Sequence, residues 1–110
     1  MEKVFDNPLE WLEANGRKLW SFKYVRFADG IVRFCDACNT VDNHIDIART
    51  RPDVPPVFAG KIKVRKGKWC IEEGGSFTLN LNRGKSDEKY IAKALDGTGL
   101  EYDPDILTFF

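Results

Sequence analysis

The spacing of apolar residues along the chain shifts from helical to alternating and back, and these shifts divide it into elements. Near the N-terminus, Leu9, Trp11 and Leu12 form an apolar stripe behind Asn7-Pro8, with Gly16 beyond it. Asn is a good N-cap, Pro suits the first helical position and Gly tolerates the left-handed stop, so the pattern predicts a helix over Pro8–Asn15. Two turns of helix do not hold by themselves, so this one must dock on a larger surface.

From Leu19 to Cys35 aromatic and β-branched residues crowd both sides of Ala28-Asp29-Gly30. Asp-Gly between such runs predicts a β-hairpin. On its first strand Trp20, Phe22 and Tyr24 share one face, and Lys23, Val25 and Phe27 share the other. Neither face is uniformly polar, which implies a strand covered on both sides.

Residues 36–60 are harder to read. Val41, Ile45 and Ala48 fit a short helix, which is the preferred reading, although His44-Ile45-Asp46-Ile47 also alternates as a strand would. Arg51-Pro52-Asp53-Val54-Pro55-Pro56 reads as an extended loop, because proline removes backbone donors. A second β region begins at Phe58: Lys61-Ile62-Lys63-Val64-Arg65 alternates, Lys66-Gly67 turns, and strands over Trp69–Glu72 and Phe77–Leu81 flank Gly74-Gly75. These make a three-stranded meander, with Ile62 and Val64 facing a core and Lys61, Lys63 and Arg65 facing water. Ser86 then caps a helix that carries Ile91, Ala92 and Leu95 on one face and stops at Gly97, and Ile106-Leu107-Thr108-Phe109-Phe110 reads as a last strand or docked tail.

The order implies an α+β fold: a mainly antiparallel sheet, made of the N-terminal hairpin and the three-strand meander, with two or three short helices packed on one side of it. The 110 residues are expected to form a single domain over 1–110. No run approaches the roughly 20 apolar residues of a membrane span, and the start lacks the apolar centre of a signal peptide. Together with three cysteines and no glycosylation acceptor, this predicts a soluble cytoplasmic protein with reduced thiols and no membrane partner.

Formal charge is zero overall but segregated: residues 1–60 carry −1, residues 61–85 carry +5 and residues 86–110 carry −4. A basic hairpin that either stands free or lies against the acidic C-terminal segment is the implication. Lys61, Lys63, Arg65, Lys66 and Lys68 cluster there, with Trp69 beside them as a stacking surface. The favoured function is therefore a small non-catalytic interaction protein, an accessory, inhibitor or immunity-type module. It would bind a macromolecular partner, a protein first of all, through a sheet face and the basic hairpin 61–69. A nucleic-acid-binding domain is the first alternative. The aromatic surplus, with Trp11, Trp20, Trp69, Tyr24, Tyr90, Tyr102, Phe109 and Phe110, either fills a thin core or supplies interface anchors.

Cys35-Asp36-Ala37-Cys38 has the spacing of a zinc knuckle, and His44 or Cys70 would complete a tetrahedron. A zinc-stabilised module using Cys35 and Cys38 is thus a second alternative, but a lone pair without a matching second pair favours ordinary core cysteines and no cofactor. His44 is the sole histidine, so acid–base chemistry has little to draw on, and a surface or capping histidine is the simpler reading. Glu72-Glu73 point to opposite faces of a strand, and Gly74-Gly75-Ser76 lacks the lysine of a phosphate loop. The balance leans against catalysis, and a small enzyme built around His44 with a cysteine or carboxylate is the third alternative.

Overall fold

A computed structural model describes residues 4–15, 20–36, 43–72 and 87–103. Among them are six strands, β1 (Val4–Phe5), β2 (Trp20–Phe27), β3 (Val32–Asp36), β4 (Pro56–Arg65), β5 (Lys68–Glu72) and β6 (Glu101–Tyr102), and three helices, α1 (Leu9–Asn15), α2 (Asn43–Arg49) and α3 (Asp87–Ala94). The strands form one sheet in the order β1-β3-β2-β4-β5-β6. Four of the pairings are antiparallel, and β5–β6 is parallel, which makes the sheet mixed. The proposed strand Phe77–Leu81, the Ser86 cap and the tail 106–110 lie outside the described residues.

Local chemistry explains the elements. The Asn7 side-chain oxygen accepts the Leu9 amide at 2.8 Å, and its Nδ2 donates to the carbonyls of Ala94 and Asp96 at 2.9 and 3.0 Å, so one residue caps α1 and ties it to the end of α3. Trp11 and Leu12 are buried and Leu9 only half-buried; Trp11 meets Phe22 edge-on at 5.2 Å. The first hairpin closes through Phe27 N–H to Ile31 O and Gly30 N–H to Phe27 O, at 2.8 and 2.9 Å, with Gly30 at φ +88°. A three-residue loop ending in a left-handed glycine is a favoured hairpin geometry. Lys66 and Gly67 both take positive φ, 49° and 81°, which suits the two-residue turn between β4 and β5.

The central strand β2 is covered on both sides, as its sequence implies. Phe22 and Tyr24 join Phe34, Ile62, Val64 and Trp69 in a core roofed by Trp11 and Leu12 of α1 and by Ile91 and Leu95 of α3. Val25 and Phe27 face the other way, onto Val4, Cys35, Ala59 and Ile47 of α2. The helices therefore flank both faces rather than one, because β2 presents apolar side chains to both. The residues of α2 that are buried are His44 and Ile47, while Ile45 and Ala48 are half-buried; in α3, Ala92 is exposed. Both stripes are rotated from those read in sequence, since a weak apolar stripe leaves the docking angle to the surface beneath it.

Gly60 on β4 lies opposite Tyr24 on β2. A Cβ there would stand 2.9 Å from Tyr24 Cε2 and 3.1 Å from its hydroxyl, so the ring occupies the space that any other residue would fill. At the end of β2 the Arg26 guanidinium is sandwiched between Phe58 and Tyr90, 4.2 and 4.3 Å from their ring centroids. This stack joins β4 to α3 through a buried cation. No helix among the described residues is long and apolar enough to cross a membrane.

Candidate macromolecule-binding face

Strand alternation puts Lys61, Lys63 and Arg65 of β4 on the face opposite Ile62 and Val64, and all three are half-buried while the two apolar residues are fully buried. The antiparallel register then adds residues from elsewhere in the chain. Lys23 of β2 stands directly across from Lys61, which has Glu72 of β5 on its other side; Ser21 and Cys70 flank Lys63, and Lys68 of β5 stands across from Arg65. Partners across an antiparallel ladder place their Cβ atoms about 4.5–5.5 Å apart on one face. The basic surface is thus wider than the hairpin alone, and Lys23 is the member that sequence reasoning missed. Its position on the Val25 and Phe27 face of β2 was visible in the alternation, but its neighbour was not.

Two expected members change role. Trp69 is only 1% exposed; it packs in the core at 4.8 Å from the Tyr102 ring and is not a stacking platform. It stands across from the buried Val64, so the alternation that exposes Lys68 buries its successor. Lys68 is held at 3.4 Å by Asp103 Oδ2. Residues 101–103 of the acidic C-terminal segment lie against the hairpin: Glu101 N–H donates to Gly67 O at 3.0 Å and Asp103 N–H to Trp69 O at 2.8 Å. Lys23, Lys63 and Arg65 also have interaction partners within the molecule, and Lys66 is exposed at the turn.

His44 is a buried residue, 2% exposed, and not the surface or capping histidine expected. Its Nε2 donates to the Gly60 carbonyl at 2.9 Å, joining α2 to the middle of β4. Burial pushes its pKa below the ordinary 6.5; the Gly60 carbonyl opposes this, and the positive charges of Lys23 and Lys61 add to the lowering. The neutral imidazole with its proton on Nε2 is the form that fits.

Cys35 and Cys70 are buried free thiols. They lie on β3 and β5, three ladder steps apart through β2 and β4, a separation of roughly 14 Å at normal strand spacing, so they cannot share one tetrahedral ion. The Nε2 of His44 is engaged by the Gly60 carbonyl. Among the described residues no group of three or more His, Cys, Asp or Glu is placed to hold a metal, and Cys38 lies outside them. No family model matches the chain, and no curated protein or solved structure matches it either.

Proposed function

We propose that this chain is a small non-catalytic interaction module that binds an acidic protein surface through the sheet face carrying Lys23, Lys61, Lys63 and Arg65, with Lys66 at its tip. An accessory, inhibitor or immunity-type role is of this kind. The observation that carries the reading is the strand register, which gathers Lys23, Lys61, Lys63 and Arg65 on one face of the sheet. Cationic positions outnumber carboxylates along residues 61–85, which carry +5, although the whole chain is neutral. A protein is favoured over a single-stranded nucleic acid because Trp69, the aromatic residue of the hairpin, is buried and offers bases no stacking surface.

The test is binding of fluorescent poly-glutamate, and separately of a DNA duplex, followed by anisotropy against salt concentration. The expected result is salt-sensitive binding to poly-glutamate that weakens at least tenfold in the Lys61→Gln/Lys63→Gln/Lys66→Gln variant. Preferential binding to the duplex, with a log–log salt slope of about −0.9 per phosphate contacted, would replace the protein reading with the nucleic-acid one. Salt-insensitive behaviour toward both polymers would reject the basic face as a binding surface.

A further inference from the structure

A second charged feature lies away from the basic face. The β2–β3 turn, the residues after β1 and one side of α3 enclose a cleft of about 840 Å³. That is within the roughly 300–1,000 Å³ of small-molecule sites. We infer that this cleft binds a small organic dianion, a phosphomonoester or a dicarboxylate with an apolar body. It shares no lining residue with the basic face, so the inference stands or falls independently of the function proposed above.

The charge inventory points to the ligand. Four cations, Arg33, Arg51, Lys89 and Lys93, and two carboxylates, Asp6 and Asp29, line the cleft. Both carboxylates are committed to arginines. Arg51 grips Asp29 with two parallel bonds, Nη1 to Oδ1 at 3.0 Å and Nη2 to Oδ2 at 2.6 Å, and this holds the Asp29 carboxyl down at about 2. Asp6 takes the Nε–H of Arg33 at 2.8 Å, which leaves the two Nη donors of that guanidinium outside the pair. What remains is an excess of two positive charges, carried by Lys89 and Lys93. These are both exposed and stand one helical turn apart on α3, so their ammonium groups can converge on one anionic group. A dianion matches that excess.

The walls supply the rest. Gly30 brings the turn so close to Tyr90 that a Cβ would stand 3.2 Å from the ring, and Arg26 stacks on that same ring. Lys89 Nζ lies 5.2 Å from the Tyr90 centroid, which keeps one ammonium near the aromatic wall. Ile31, in the same cleft, is 45% exposed and presents an apolar surface to it. An apolar ligand body resting on Ile31, Val32 and Ala94 would cover it. The site thus combines an apolar floor with convergent cations, the composition of a small-molecule pocket.

The experiment is an amide chemical-shift titration of the full chain with phenyl phosphate and with phthalate, using phenol and inorganic phosphate as controls. Saturable shifts at Gly30, Ile31 and Tyr90 with either dianion, with Kd no weaker than about 1 mM, are expected. The tighter of the two identifies the source as phosphomonoester or dicarboxylate. Affinity should fall at least tenfold in Lys89→Gln/Lys93→Gln and hold in the surface control Arg49→Gln. Non-saturating shifts with both dianions, equal affinity in the double variant, or phenol binding as well as phenyl phosphate would overturn the inference. Inorganic phosphate binding as tightly as phenyl phosphate would overturn the role given to the apolar floor. Should the double variant fail to fold, the wild-type titrations and their controls decide the matter.

Discussion

The two faces of the sheet are built from the same strands and treated differently. One is roofed by α1 and α3 over an aromatic core of Phe22, Tyr24, Phe34 and Trp69. The other is covered by α2 over Val25, Phe27, Cys35 and Ala59, while the same face carries Lys23, Lys61, Lys63 and Arg65. The contrast teaches where stability and where recognition are placed. Large aromatic side chains lie on the roofed face; half-buried cations extend the other, beside the short helix α2.

Truncating the roofed face should produce the largest effect. Trp69→Ala is expected to cost about 3–5 kcal/mol in equilibrium urea unfolding, because Trp69 is almost wholly buried and its cavity cannot collapse against a sheet. A loss below about 1 kcal/mol, as for a surface residue, would restore Trp69 to the binding face and erase the contrast. Gly60→Ala probes the join between the faces, since Gly60 holds the Tyr24 ring on one side and accepts the His44 proton through its carbonyl. It should cost about 1–3 kcal/mol through overpacking, measured in the same way.

The smallest effects belong to the cationic face, and they are read best through pH. His44 has a folded pKa below its ordinary 6.5, so the unfolded chain binds its proton more readily than the folded one. Its contribution to stability is therefore complete above about pH 6.5, and it declines as pH falls through the folded value. Lys61→Gln removes one of the two charges that depress that value, so the folded pKa should rise and the acid loss shrink. At neutral pH the same substitution should change stability by no more than about 0.5 kcal/mol, because Lys61 stands between Lys23 and Glu72 in the ladder. Unfolding curves between pH 5 and pH 8 for both proteins check the sign, and an unchanged acid loss would detach His44 from the basic face.

Much of the fold was legible because its signals are local. Asn7-Pro8 announces α1, Ala28-Asp29-Gly30 the hairpin and Lys66-Gly67 the turn after β4, since caps and turns depend on a few adjacent residues. The alternation from Lys61 to Arg65 likewise placed charge and core on opposite faces. Three readings went astray for one reason. Trp69 as a stacking surface, His44 as a surface residue and helices confined to one side each required knowing what a side chain meets, and those neighbours are remote in sequence.

From its sequence alone, this protein's α+β class, its hairpins and the segregation of charge into a basic and an acidic stretch were determined, because each follows from spacing within a few residues. Only the tertiary structure decided that Lys23 joins Lys61, that Asp103 reaches Lys68, that His44 is buried against Gly60, and that Arg33, Arg51, Lys89 and Lys93 surround one cleft. Strand register and helix docking are settled by the best burial of the whole apolar surface, and that optimum has no local signature in the chain.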